Sequence, residues 1–154
     1  MTQEQTPRGR VADGTDQLAR VHESFDAQRV MATLGARLAD VAPGRVEIVL
    51  PFGDAFTQHN GFLHAGVVTT VLDSACGYAA FTLMPEDADV LTAEYKVNFL
   101  TPAVGERILA RGEVLRPGRS LTVCTGTAFA LRDGREKAVA QMQATMMTIR
   151  ASGA

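Results

Sequence analysis

The chain predicts an α+β domain in which a curved antiparallel sheet wraps one long central helix, and three observations carry that expectation. Residues 65–84 form an apolar run broken by a single carboxylate, Asp73, and closed by Pro85. Residues 90–100 alternate, with Leu91, Ala93, Tyr95, Val97 and Phe99 set against Thr92, Glu94, Lys96 and Asn98, which predicts a half-buried antiparallel strand. After it, turn signals at 101–105, 116–119 and 132–134 separate candidate strands at 107–115, 120–131 and 136–149. Three successive hairpin-type connections predict a meander, and a sheet that curves around the apolar helix buries it most economically.

The remaining elements follow in order. Residues 1–24 are polar, carry Pro7, Gly9 and Gly14 and show no sustained period, so a flexible tail is expected, with a single domain over 25–150. Phe25, Val30, Met31 and Leu34 recur at helical spacing before Gly35, predicting a short amphipathic helix. Residues 45–50 alternate as a strand, and 51–54 turn the chain outward. A loop over 55–63 then leads into the long helix.

Composition narrows the function classes. The chain has 154 residues, 46% hydrophobic and 21% charged, with a net charge of −2, enough for one sizeable core and no second domain. Its basic residues are scattered, which gives no reason to expect nucleic-acid or anionic-membrane binding. The first twenty residues lack a signal-type apolar stretch, and Asp73 and Gly77 interrupt the longest apolar segment, so the cytoplasm is the expected location. Cys76 and Cys124 are expected to be buried small residues rather than a disulfide or zinc site. His22, His59 and His64 match no metal-ligand spacing, so neither metal nor cofactor is expected.

Asp73 is the only formally charged side chain between Asp54 and Glu86. A carboxylate in such a segment loses hydration, at a cost of several kcal/mol unless partners compensate, so chemistry is the expected reason for it. The first turn of a helix starting near Ala65 also offers unsatisfied N–H groups and a positive dipole end.

The motif Gln58-His-Asn-Gly-Phe-Leu-His-Ala-Gly66, with Asp73 nine residues after His64 and followed by residues 92–102, resembles the hotdog-fold acyl-CoA thioesterases, specifically the PaaI-like branch. The resemblance runs over about 25–149. It departs at Ala65, where relatives usually carry Gly, and at Gln58, where some have Asn. It implies a hotdog fold and hydrolysis of acyl-CoA thioesters without a cofactor, in a homodimer or a dimer of dimers. The Ala65 N–H would be the oxyanion donor, a backbone role that Ala fills in place of Gly provided that the position does not demand a positive φ. Asp73 would be nucleophile or general base, Gln58 would orient the thioester or water, and Thr92 would help place water. His64 fits loop geometry better than direct chemistry.

Each of these has a plainer alternative. Thr92 equally suits β propensity, and Tyr78, Phe81 and Met84 read as core or acyl-pocket wall. Arg116 and Arg119 bracket a turn where two guanidinium groups would meet coenzyme A phosphates, or stand solvated. A non-catalytic acyl-CoA binding or sensing protein is the alternative function. A hydratase would need an Asp and His pair that the sequence does not present.

Overall fold

The computed structural model describes residues 14–150. Helices α1 (Gly14–Ala27) and α2 (Arg29–Leu34) lead into strands β1 (Arg37–Ala42) and β2 (Arg45–Pro51). A 3₁₀ turn at Asp54–Phe56 precedes helix α3 (Ala65–Phe81), followed by β3 (Ala88–Phe99), β4 (Arg107–Arg116), β5 (Leu121–Arg132) and β6 (Arg135–Arg150). The strands form one antiparallel sheet in the order β1-β2-β4-β5-β6-β3.

The predicted architecture is present: the sheet buries α3. Val46, Ile48 and Leu50 of β2, Ile108 and Ala110 of β4, and Ala140, Met142, Ala144 and Met146 of β6 alternate inward, against Val68, Val71, Leu72, Ala75 and Cys76 of α3. Two glycines paired in register, Gly112 and Gly126, set how closely helix and sheet approach. A Cβ on Gly112 would lie 2.3 Å from the Ala75 carbonyl, and one on Gly126 would lie 2.8 Å from Cys76 Sγ. Cys76 and Cys124 are free and buried, as expected, and burial pushes the Cys124 thiol up to about 12.

Four expectations are corrected. The tail expected over 1–24 is helical from Gly14 onward; residues 1–13 lie outside the described residues. Gln17, Val21 and Phe25 recur every fourth residue on one buried face of α1. Gln17 Nε2 donates to the Phe81 carbonyl at 2.6 Å, and the Arg20 guanidinium lies 4.5 Å over the Phe81 ring while donating to Ala88 O. The helix expected around 25–34 is broken at Gln28, which has extended backbone and serves as the N-cap of α2.

The meander is also incomplete. β3 does not neighbour β4 but pairs with β6 at the opposite edge, so of the three expected connections only β4-β5 and β5-β6 are hairpins. The chain over 100–106 crosses from one edge of the sheet back toward its middle instead, and on the way Ala103 O accepts from Leu63 N and Glu106 N donates to Leu131 O. Finally, β3 is an exposed edge rather than a half-buried strand. A bulge between Thr92 and Glu94 breaks its alternation: Thr92 shares a face with Met146, whereas Leu91 lies with Met147 on the other side. β1, which the sequence reading did not include, covers the far edge.

Candidate active site

The loop before α3 is built to present a helix N-terminus. Gln58 N donates to Phe62 O at 2.8 Å, Gly61 closes the turn at φ 78°, and His64 N donates to Phe56 O. His64 is the N-cap of α3, and its Nδ1 accepts from the Gly66 N–H at 2.9 Å. That bond makes Nδ1 an acceptor, so this ring nitrogen caps the helix instead of serving as a free base. Val67 and Val68 N–H both turn back to His64 O.

The neighbouring Ala65 N–H is therefore distinctive. No described group accepts from it, and Ala65 is exposed. Asp133 is the only non-glycine residue of positive φ among the described residues, so Ala65 meets the negative-φ condition on which its proposed role depends. Gln58 and Ala65 line a cleft of about 410 Å³ with Phe62, Val68, Phe99 and Val139. The Gln58 Oε1 is engaged by the Asn60 N–H, which leaves its Nε2 to donate.

Asp73 lies two turns further along α3, half-buried, with Leu72 and Ala75 of the helix facing the core and Ser74 and Thr92 beside it. Burial raises its carboxyl above the ordinary Asp value of 3.8, opposed by the hydrogen bond from Thr92. Thr92 Oγ1 donates to Asp73 Oδ1 at 2.7 Å, holding one carboxylate oxygen and leaving the other. Asp73 and Thr92 line a separate cleft of about 250 Å³. The sequence-predicted residues thus fall into two groups: Gln58 and Ala65 line one cleft, with His64 capping the helix beside it, and Asp73 and Thr92 line the other. Eight residues of helix separate Ala65 from Asp73, about 12 Å along the axis.

Arg116 and Arg119 stand apart from both groups. Arg116 pairs with Val123, on the face opposite the buried Thr122 and Cys124, and both arginines are exposed. The sequence reading missed another cationic group. Arg132, Arg135 and Lys137 line a cleft of about 440 Å³ that shares Pro102 with the Gln58–Ala65 cleft. Arg132 pairs with Arg135 and Lys137 with the buried Ala130, so all three project from the helix side of the sheet. Their signal was present in the sequence as period-two spacing around a two-residue hairpin turn. Among the described residues, no group of three His, Cys, Asp or Glu side chains is arranged to hold a metal ion.

This sheet wrapped on one helix, with a capped N-terminus facing one cleft and a carboxylate facing another, is a hotdog fold. The chain belongs to the thioesterase superfamily, which it matches over residues 60–137. A thioesterase family protein from Silicibacter pomeroyi is 60% identical in a structural alignment covering 88% of this chain and 99% of that one, at a TM-score of 0.86. A candidate esterase of Saccharolobus solfataricus is 32% identical over 70% of this chain and 77% of its own length. The Escherichia coli PaaI protein, at 16% identity and a TM-score of 0.78 over 91% of this chain, shares the fold. Thioester hydrolysis is the general chemistry that this membership supports. No helix among the described residues is long and apolar enough to cross a membrane.

Proposed function

We propose that the protein hydrolyses acyl-CoA thioesters to the free acid and CoA, at sites shared between two copies of the chain. The observation that carries this reading is the division of the machinery between two clefts. The unpaired Ala65 N–H suits a developing oxyanion, and the Thr92-held Asp73 suits attack, yet about 12 Å of helix keeps one carbonyl from meeting both within one subunit.

The β3 edge supports the second copy. It is 12 residues long and unpaired on one side, and its inner face exposes Tyr95 and Phe99 at 48% each, with Leu100 at 52% just beyond it. Such an edge is a template for pairing. Antiparallel β3 strands across a two-fold axis would carry the Ala65 end of one α3 toward Asp73 of the other.

In that site the thioester carbonyl accepts from the Ala65 N–H, with the Gln58 amide donating beside it. Asp73 either takes a proton from water, which adds to the carbonyl, or adds directly to form an anhydride that water then cleaves. In both routes the C–S bond breaks as the tetrahedral oxyanion collapses, and the proton released from water ends on the CoA thiolate. A related fold from Bacillus halodurans, 20% identical, was crystallised with CoA, which fits this choice of thiol.

Two cation sets compete for the CoA phosphates. The Arg132–Arg135–Lys137 cleft adjoins the oxyanion cleft, and along β6 Lys137 and Arg135 lie about 7 Å and 13 Å beyond Val139. None of the three is in an ion pair among the described residues. These features favour them over Arg116 and Arg119.

Thiol release from a panel of short, aromatic, medium and long acyl-CoAs, with Asp73→Asn as control, tests the function. Turnover lost in the variant is expected. Tight binding of acyl-CoA without any thiol release by the wild-type protein would favour the binding or sensing alternative.

A further inference from the structure

The cleft beside Asp73 has a feature that the hydrolytic chemistry does not explain. Gly77, one helical turn beyond Asp73 and on the same face of α3, is buried, yet a Cβ built there would meet nothing within 4 Å. Its open side is the cleft. Glycine in the middle of a 17-residue helix lowers helix stability relative to Ala. Nothing in the packing demands this one, so the space it leaves is the feature to explain.

The cleft walls are polar. α1 and the start of α2 bring Ser24 and Gln28 over α3, where Ser24 Oγ lies 3.2 Å from Tyr78 Oη and Ser74 Oγ donates to Gln28 Oε1 at 3.4 Å. Asp89 stands at the mouth, its Oδ1 accepting from Val90 N. The Tyr78 ring is fixed between Phe25 and Phe81, with centroids 5.8 and 6.3 Å away, and burial keeps its hydroxyl protonated. A hydroxyl, an amide and a carboxylate therefore face a space of about 250 Å³ that begins at the reacting carboxylate.

Resting on the thioesterase reading, we propose that this cleft is the acyl subsite, and that Ser24, Gln28, Tyr78 and Asp89 select a short, uncharged acyl group bearing a hydroxyl. Size sets the first limit: a cavity of about 150 Å³ accepts benzene, so this one takes a single ring or a short chain with a substituent, not a long fatty acyl group. Polarity sets the second. An alkyl chain would displace water from these groups and leave them only the bonds they make to one another and to the backbone, whereas a hydroxyl both donates to and accepts from them. Charge sets the third, because two carboxylates, Asp73 and Asp89, repel an acyl carboxylate.

The test compares kcat/KM for matched pairs, 3-hydroxybutyryl-CoA against butyryl-CoA and 4-hydroxybenzoyl-CoA against benzoyl-CoA, with octanoyl-CoA and succinyl-CoA alongside. The hydroxylated member of at least one pair should be favoured by about tenfold or more, and succinyl-CoA should be the poorest of the short substrates. Tyr78→Phe and Gln28→Leu should bring that ratio toward one. Gly77→Ala, which places a methyl in the cleft without touching the fold, should penalise benzoyl-CoA more than acetyl-CoA. Efficient hydrolysis with the deoxy member preferred, or a hydroxyl preference intact in both polar variants, would overturn the subsite while leaving the thioesterase reading in place. Absence of turnover on every ester would overturn both.

Discussion

Thr92 of the edge strand β3 donates a 2.7 Å hydrogen bond to Oδ1 of Asp73 on the central helix, and it is the one side-chain hydrogen bond that Asp73 receives among the described residues. Desolvation by burial raises the Asp73 carboxyl and this bond lowers it. The acid limb of kcat should therefore lie above the ordinary Asp value of 3.8, and Thr92→Val should move it higher still while lowering kcat about tenfold or more. A pH–rate profile checks both, and a limb that Thr92→Val leaves in place would remove Thr92 from the role.

Asp73→Asn should abolish most turnover, on the order of 100-fold or more, because the amide is nearly isosteric but neither basic nor nucleophilic. The same change should stabilise the fold at neutral pH. A carboxyl whose folded pKa is raised binds its proton more tightly in the native state than in the unfolded chain. Its contribution to stability is present below 3.8 and is lost as pH rises through the folded value. Thermal unfolding should show the wild type losing stability relative to Asp73→Asn over that window; a variant less stable at pH 7 would contradict the account.

Gly112→Ala should destabilise by about 1–3 kcal/mol or more, because its Cβ would meet backbone of α3 rather than a movable side chain. Gly77→Ala, with open space at its Cβ, should stabilise by about 0.5–1 kcal/mol. Urea midpoints of the two variants should move in opposite directions.

If Arg132, Arg135 and Lys137 hold the CoA phosphates, replacing any of them with Ala should raise KM for a CoA thioester by about tenfold and spare the matching pantetheine thioester. Arg116→Ala and Arg119→Ala should leave both nearly alone. The reverse pattern would assign the phosphates to the β4-β5 hairpin.

The central helix and its carboxylate were legible because a lone charge in an apolar run stands out, and the β4 to β6 hairpins because their turns carry Pro-Gly and Asp-Gly. α1 was not, because its buried face needs only Gln17, Val21 and Phe25, and Gln17 is satisfied by a carbonyl 64 residues away. The face presented by each β3 residue was hidden by the bulge at Ala93, which reverses an alternation that reads as unbroken in one dimension. The motif supplied the candidate residues of both clefts, but the polar walls of the cleft beside Asp73 depend on α1 and α2 folding over α3 and have no local signature.

The most direct measurement mixes subunits. Asp73→Asn and Gln58→Ala proteins, each shown to fold and to be nearly inactive alone, are combined under conditions that allow exchange. In a shared-site heterodimer one site has both intact residues and the other has neither. Random equal mixing gives about half heterodimers, so activity should recover to roughly one quarter of wild type. No recovery in verified heterodimers would mean that each subunit builds its own site, contradicting the assembly of Ala65 and Asp73 across two copies.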